Sequence, residues 1–209
     1  MKKSGFALLL GRSNVGKSTL VNALVKSKIA ITSPKPQTTR FPIHGVVTRE
    51  KGQIVFVDVP GVMHGAHDEL SHKLMGTIKH TLQDVDVIVY VVDPTRAIGE
   101  EEKEVLRMIK GVEKPRVLVI NKMDEKEKPF LGFYQDLAPD FAAVIKVSAR
   151  DSSHIETLID EVLNLLPEGE YVYPEGQITN ISHPQWVSEL IREKLFLRLR
   201  QEVPYSVHV

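Results

Sequence analysis

Residues 11–18 read GRSNVGKS and directly follow the apolar run GFALLL (5–10). They match the pattern GxxxxGK[ST], and the apolar residues Leu20, Ala23 and Leu24 follow at helical spacing. When such a turn connects a strand to a helix, its successive backbone N–H groups point at one spot, where the helix dipole also favours an anion. The stretch therefore predicts a phosphate-binding P-loop.

Every residue of this turn is a candidate contact to a nucleotide. Lys17 adds a positive charge beside the phosphates, and the hydroxyl of Ser18 is a suitable Mg²⁺ ligand. The predicted nucleotide-binding residues here are Thr19, which directly follows the stretch, and Gly11, Arg12, Ser13, Asn14, Val15, Gly16, Lys17 and Ser18.

Short apolar runs alternate with helical patterns along the rest of the chain. The runs typical of strands are residues 5–10, 43–49, 53–58, 86–93, 116–121 and 143–148, and the clearest helical patterns are 17–27, 100–110 and 152–167. The turn Glu50-Lys51-Gly52 joins two of the runs and predicts one antiparallel hairpin. The pattern indicates an α/β fold with a mostly parallel six-stranded sheet, one antiparallel strand and helices on both faces. Ligands of such sheets bind at the carboxyl ends of the strands.

The motif NKMD (121–124) lies at one of these strand ends and distinguishes between bases. The carboxylate of Asp124 can accept from both N–H donors on the pairing edge of guanine, where adenine would present a lone pair. Asn121 can tie this loop to the P-loop, and the stem of Lys122 can cover the face of the ring. We therefore predict a guanine nucleotide, GTP or GDP, rather than an adenine nucleotide.

Three other short motifs complete the predicted site. In DVPG (58–61), Asp58 can hold the shell of a Mg²⁺ ion and the N–H of Gly61 can contact a γ-phosphate. SAR (148–150) ends the last run, so the backbone N–H groups of Ser148 and Ala149 could reach the guanine carbonyl. QTTR (37–40) can supply a threonine hydroxyl to Mg²⁺.

Composition excludes several classes of protein. Lys+Arg and Asp+Glu both count 27, so net charge gives no argument for nucleic-acid binding. The chain has no cysteine, which excludes disulfides, thiolate zinc sites and a thiol nucleophile. No apolar run approaches the ~20 residues that span a membrane, and we expect a cytoplasmic monomer. A peripheral association with the inner face of the cell membrane is left open.

In their order along the chain, GRSNVGKS, QTTR, DVPG, NKMD and SAR resemble the motifs of the Era family of GTPases. The C-terminal stretch ELIREKLFLRLRQEVPYSVHV (189–209) resembles the opening of that family's RNA-binding KH domain, so the resemblance covers nearly the whole chain. It implies a P-loop GTPase fold, hydrolysis of GTP to GDP and phosphate, and binding of ribosomal RNA during maturation of the small ribosomal subunit. It also implies that Lys17, Thr39 and Gly61 act in catalysis, and that Ser18, Thr39 and Asp58 hold Mg²⁺. Thr39 is preferred to Thr38 on this resemblance alone.

The sequence departs from the family pattern at two places that affect function. Val62 stands where related enzymes carry a water-positioning glutamine, and it can neither donate nor accept a hydrogen bond. We therefore predict slow intrinsic hydrolysis, increased by a partner or a cation; Asn14 makes K⁺ a candidate by resemblance. The KH domain is incomplete in these 209 residues and lacks its GxxG loop, so we expect RNA binding through it to be lost.

The expected organisation is a GTPase domain over residues 1–167, a linker over 168–182 and the start of a KH domain over 183–209. The last part carries Val187, Ile191, Leu195 and Leu199 four residues apart on a helix, followed by a strand at 204–209. Because that strand lacks its sheet, we expect residues 183–209 to be poorly ordered or packed against a neighbouring molecule.

Two other functions remain open from the residues alone. Val62 is compatible with a guanine-nucleotide-dependent binding protein that does not hydrolyse GTP, although the phosphate and metal residues argue against it. An ATP-dependent P-loop kinase is disfavoured by NKMD (121–124).

Overall fold

The computed structural model describes residues 2–33, 38–62 and 69–198. Its strands and helices, in chain order, are β1 (Lys3–Leu10), α1 (Lys17–Val25), β2 (Ile43–Arg49), β3 (Gly52–Asp58), α2 (Glu69–Asp84), β4 (Val87–Val92), α3 (Glu100–Lys110), β5 (Arg116–Ile120), α4 (Leu131–Asp136), a 3₁₀ turn (Ala138–Asp140), β6 (Ala143–Lys146), α5 (Ile155–Leu165) and α6 (His183–Arg198). None of the helices in this part of the chain combines the length and the apolar character that crossing a membrane requires.

The six strands form one sheet in the order β2-β3-β1-β4-β5-β6. β2 pairs antiparallel with β3, and all the other neighbours pair in parallel. The predicted α/β fold with one antiparallel strand is therefore confirmed.

Side chains that alternate along β1 build the two layers of the core. Ala7 and Leu9 join a cluster formed with α1 and α5 on one face of the sheet. Leu8 and Leu10 join a second cluster formed with α2, α3 and α4 on the other face. A strand buried on both sides has no polar face, which is why these runs are continuously apolar.

The parallel strands all end at the same edge of the sheet, and four of the five predicted motifs lie at these ends, whereas QTTR (37–40) precedes β2. β1 leads into the P-loop, β3 ends at Asp58, β5 leads into Asn121, and β6 leads into Ser148. The parallel register thus brings together motifs that are more than 130 residues apart in the chain.

Residues 168–182, the predicted linker, lie along β2, which is an outer strand of the sheet. The N–H of Val46 donates to the carbonyl of Ile178 at 2.9 Å, and the N–H of His44 donates to Oδ1 of Asn180 at 2.9 Å. The side chain of Gln53 exchanges two hydrogen bonds of 2.9 Å with the backbone of Tyr173. We call residues 168–182 the edge strap, because they cover backbone groups that an outer strand would otherwise expose.

Helix α6 packs against the loop that follows α1, through its charged side chains. Glu193 accepts from Lys28 Nζ at 2.5 Å and from the N–H of Thr32 at 2.9 Å. Trp186 Nε1 donates to the carbonyl of Lys28 at 2.9 Å, and Arg192 donates to the carbonyl of Thr38 at 2.6 Å.

This packing corrects the expectation of poor order or an intermolecular contact, as far as residue 198. The physical reason is that α6 packs on the loop through charged side chains. The spacing of apolar residues, on which the expectation was based, does not predict such contacts. Val187 and Ile191 of the predicted apolar stripe are instead 39% and 47% exposed. Leu199 and the predicted strand at 204–209 lie outside the described residues.

Candidate functional site

The P-loop turns from β1 into α1 through two residues in the left-handed backbone region. Asn14 has φ 63° and Gly16 has φ 96°. A Cβ atom at Gly16 would lie 2.4 Å from Nδ2 of Asn121, so only glycine fits at this position. The turn brings the free N–H groups at the start of α1 to the cleft, where they can meet an anion.

Lys17 is buried beneath this turn. Its Nζ donates to the carbonyls of Gly11 at 3.2 Å and Arg12 at 3.1 Å. Burial lowers the pKa of Lys17 to about 8, although the Asp58 carboxylate acts in the opposite direction. A bound phosphate would supply the negative charge that favours the ammonium form.

Three oxygen-bearing side chains converge beside Lys17. Ser18 Oγ donates to Oδ2 of Asp58 at 2.7 Å and lies 3.0 Å from Oγ1 of Thr39. Asp58 is fully buried, and its Oδ1 has no hydrogen-bond partner among the described residues. Burial raises the pKa of Asp58, while Lys17 and the two hydroxyls oppose that rise.

A buried carboxylate oxygen without a partner costs folding free energy unless a cation binds it or a water donates a hydrogen bond to it. Carboxylate and hydroxyl oxygens are the ligands that Mg²⁺ prefers. The residues predicted from the sequence as metal ligands therefore fit a magnesium ion.

The turn at Pro60-Gly61 packs directly on the P-loop backbone. A Cβ atom at Gly61 would lie 2.6 Å from Cα of Ser13, so this close approach requires glycine. The N–H of Val62 donates to the carbonyl of Gly11 at 3.1 Å. The side chain of Val62 is 0% exposed and joins the cluster of Leu8 and Leu10, which means that it anchors the turn in the core.

On the base side of the cleft, Asn121 joins three motifs. Its Nδ2 donates to the carbonyl of Val15 at 2.9 Å, and its Oδ1 accepts from the N–H of Ala149 at 3.0 Å. Asp124 Oδ1 accepts from Ser148 Oγ at 2.7 Å. Ser148 therefore holds the Asp124 carboxylate in place. The N–H of Ala149, which was predicted to reach the guanine carbonyl, is bonded to Asn121 in this structure.

Lys122 has a partner that the sequence did not reveal. Its backbone lies in the left-handed region at φ 59°, and its Nζ pairs with Oδ2 of Asp93 at 2.5 Å. Burial acts to raise the pKa of Asp93, but hydrogen bonds from Lys122 and Thr95 are stronger and hold it below its ordinary value. The position of Asp93 at the end of a strand run was the available signal.

A groove of about 290 Å³ lies between these loops, lined by Gly16, Thr19, Asn121, Lys122, Asp124, Glu125, Ala149 and Arg150. Gly16 and Thr19 also line the phosphate cleft, together with Thr39 and Gly61. A ligand in the groove would therefore extend directly into the P-loop. Of the five motifs predicted to form the nucleotide site, only Gln37 of QTTR lies outside the described residues.

Comparison with known proteins identifies the family of this chain. Residues 6–122 match the family model described as 50S ribosome-binding GTPase. The GTPase Era of Halothermothrix orenii is 42% identical over 209 residues, a match that covers 99% of this chain and 71% of that protein. This chain belongs to the Era family of GTPases. The GTPase Era of Staphylococcus epidermidis is 40% identical, in a match that covers 99% of this chain and 70% of that protein.

Solved Era structures share the fold. A crystal structure of Era in complex with MgGDPNP and nucleotides 1506–1542 of 16S ribosomal RNA matches with a TM-score of 0.91 at 33% identity, over 99% of this chain and 71% of that one. A variant of Aquifex aeolicus Era bound to GDP·AlF4⁻ matches with a TM-score of 0.90 at 34% identity, over 98% of this chain and 70% of that one. As a member of the Era family, the chain is a GTP-binding and GTP-hydrolysing enzyme.

Proposed function

We propose that the cleft binds GTP and GDP through the residues predicted from the sequence, with Mg²⁺ held by Ser18, Thr39 and Asp58. The observation that carries this proposal is the convergence of those side chains beside Lys17, with one Asp58 oxygen unpaired among the described residues. The P-loop N–H groups cradle the phosphates, and the NKMD and SAR loops receive the guanine.

The bound metal neutralises negative charge on the phosphoryl group that is transferred to water. Lys17 adds positive charge from beneath the P-loop, and the N–H of Gly61 contacts the terminal phosphate. These groups stabilise charge that grows in the transition state, which is the largest single contribution in many enzymes.

We propose that intrinsic hydrolysis is slow because Val62 cannot position the attacking water. Its side chain is apolar, and it lies inside the core rather than at the cleft. A partner or a cation must then supply the missing orientation. Asn14, which takes a left-handed backbone in the P-loop, is the residue through which K⁺ would act.

Single-turnover hydrolysis of GTP tests these proposals directly. We expect Mg²⁺-dependent phosphate release over minutes to hours, lost in Asp58→Asn and retained in the exposed control Asp84→Asn. No phosphate release by the unsubstituted protein would contradict the assignment as a GTPase. Equal rates in K⁺ and Na⁺ would contradict only the role of potassium.

We further propose that the protein acts in maturation of the small ribosomal subunit and binds that subunit, without the RNA contact that a complete KH domain would supply. The supporting observation is the likeness to Era in complex with a 16S ribosomal RNA segment.

The proposed domains are a GTPase domain over 1–167, a linker over 168–182 and the start of a KH domain over 183–209. The monomeric state and a peripheral membrane association stay predictions.

Co-sedimentation with small ribosomal subunits would test the proposed partner. We expect more protein in the ribosomal pellet with GDPNP than with GDP. Equal recovery in the pellet with both nucleotides would contradict the proposal. So would the same recovery in a control without ribosomes.

A further inference from the structure

A buried ion pair lies beside the P-loop, and neither of its residues lines the nucleotide cleft. Nε of Arg12 is 2.9 Å from Oε2 of Glu102, and the side chains of the two residues are 3% and 0% exposed. Arg12 belongs to the P-loop and Glu102 to the first turn of α3. The pair therefore joins the phosphate-binding loop to a helix that carries none of the predicted site residues.

Both partners make further polar contacts that fix their orientation. The Arg12 guanidinium donates to the carbonyls of Ala97 at 2.6 Å and Arg96 at 3.2 Å. Glu102 accepts from the hydroxyl of Tyr134 at 2.9 Å and from the hydroxyl of Tyr90. Burial and the Glu102 carboxylate raise the pKa values of both tyrosines, so both hydroxyls stay protonated and donate.

Stability alone gives little reason to keep such a network. Two charges taken out of water lose their hydration, and a well-packed apolar cluster often stabilises a core as well as an ion pair does. A buried network does, however, fix the orientation of its members. The relevant question is which group Glu102 fixes by holding Arg12.

The backbone of Arg12 is the surface on which the Gly61 turn rests. Arg12 pairs with Val62 in a parallel bridge, and a Cβ atom at Gly61 would lie 3.0 Å from the carbonyl carbon of Arg12. The carbonyl of Arg12 also accepts from Lys17 Nζ. A change in the orientation of this peptide would shift the Gly61 turn relative to the cleft, whereas Lys17 Nζ keeps a second acceptor in the carbonyl of Gly11.

We propose that Glu102 is a positioning residue for GTP hydrolysis, which acts by holding Arg12 so that the P-loop peptide keeps the Gly61 turn in register with the terminal phosphate. The inference rests on the proposed role of Gly61 at that phosphate. Glu102 and the two tyrosines do not line the cleft, so they act only through Arg12.

This role predicts a specific kinetic signature. GDP is held by the N–H groups at the start of α1 and by the base loops, none of which depends on Gly61. Removing the charge of Glu102 should therefore lower kcat while the affinity for GDP is retained. A residue that only supports the core would instead lower stability and both nucleotide affinities together.

The test compares Glu102→Gln, Arg12→Gln and the double variant with Glu104→Gln, a control on α3 that is partly exposed and pairs with Arg107 rather than with Arg12. We expect kcat for GTP to fall about tenfold in Glu102→Gln, with the GDP dissociation constant within about twofold of the unsubstituted protein. The double variant should be no slower than Arg12→Gln alone, because the two residues act as one unit. Glu104→Gln should keep the original kcat.

An unchanged kcat in Glu102→Gln would overturn the inference, and so would a parallel loss of kcat, GDP affinity and melting temperature. If Glu102→Gln fails to fold, Tyr134→Phe carries the test, since it removes one hydroxyl and keeps the charge. A lower kcat with unchanged GDP affinity is then expected, and an unchanged kcat overturns the inference. Absence of hydrolysis in the unsubstituted protein would be a failure of the proposed function, which is a different result.

Discussion

Asp124 is the residue on which the choice of base depends, because its carboxylate presents only acceptors to the pairing edge. The variant Asp124→Asn would set an amide N–H₂ or a single oxygen against the guanine donors. We expect its affinity for GTP to fall about 100-fold or more, because a buried mismatch leaves polar groups unpaired. Its affinity for xanthine nucleotides, which carry a carbonyl in place of the amino group, should rise.

Competition against a labelled guanine nucleotide measures both changes. Asp160→Asn, an exposed substitution of the same chemistry on α5, is the matched control and should bind as the original protein does. Undiminished GTP binding by Asp124→Asn would show that another group reads the base.

Asp93 supports the same part of the site through Lys122. The variant Asp93→Asn keeps an oxygen that can accept from the N–H of Thr95. It removes the negative charge that pairs with Lys122 Nζ at 2.5 Å. We expect the affinities for GDP and GTP to fall together by about tenfold, since a hydrogen bond to a charged group is lost. Titration calorimetry with each nucleotide checks this, and a loss confined to GTP would contradict it.

At the residue scale, the sequence predicts those site residues whose chemistry is tied to a local spacing. GRSNVGKS and NKMD are short, contiguous motifs, so Lys17 and Asp124 could be named without a structure. Asp93 and Glu102 could not, because each meets its partner only through the tertiary fold. Lys122 is 29 residues from Asp93 in sequence, and Arg12 is 85 positions from Ala97, one of the carbonyls that hold it.

At the element scale, α6 is connected to the loop before Thr39 through Glu193. The variant Glu193→Ala removes an acceptor shared by Lys28 Nζ and the N–H of Thr32. We expect the docking of α6 to weaken by about 1–3 kcal/mol, the usual cost of a lost charged hydrogen bond. Trp186 is the single tryptophan of the chain and donates to Lys28, so its fluorescence reports this docking directly.

We expect a shift of Trp186 emission to longer wavelength in Glu193→Ala and no shift in Arg198→Ala, an exposed control at the end of α6. Identical spectra for Glu193→Ala and the unsubstituted protein would show that the apparent anchor does not hold the helix.

The same contact gives a pH dependence with a defined sign. Burial acts to raise the pKa of Glu193, but hydrogen bonds from Lys28 and the Thr32 N–H hold it below the ordinary value of 4.5. A depressed pKa means that the ionised form stabilises docking at neutral pH, and that this contribution is lost as the pH falls through the lowered value. In an acid titration, the change in Trp186 fluorescence should come below pH 4.5 and should be absent in Glu193→Gln.

Periodicity predicted those elements whose buried face carries a regular apolar pattern. Both bounds of α3 agree with the predicted 100–110, because acidic residues open this helix and basic residues close it. Helices α2 and α4 did not stand out in the sequence. α4 has only 6 residues, too few for a period to be visible. The orientation of α6 was also unpredictable, because charge pairs rather than apolar side chains decide which face it buries.

At the scale of the whole molecule, the class of fold followed from alternating strands and helices, but the order of the strands did not. β1 lies between β3 and β4, so its neighbours are set by crossovers that leave no local trace in the sequence. The edge strap is a second feature of this kind. Its glycines, its proline and its lack of periodicity indicate a linker, and only the fold shows that it pairs with β2.

Truncation separates the edge strap from α6 and tests its contribution to the whole domain. A chain of residues 1–182 keeps the strap, whereas a chain of residues 1–167 loses the bonds to Val46, His44 and Gln53. We expect the shorter chain to lose about 2–3 kcal/mol of unfolding free energy, or about 5–10 °C in melting temperature, relative to 1–182. It should also self-associate, because β2 would then present an uncovered edge to other molecules.

Thermal unfolding and light scattering of the two chains, each with saturating GDP, measure these effects. The GDP concentration must be the same for both chains, because a bound ligand raises the melting temperature by mass action. Equal melting temperatures and equal scattering would mean that the strap follows the sheet edge without stabilising it. A lower melting temperature without self-association would instead assign the strap's contribution to its hydrogen bonds and side-chain packing, rather than to protection of the edge.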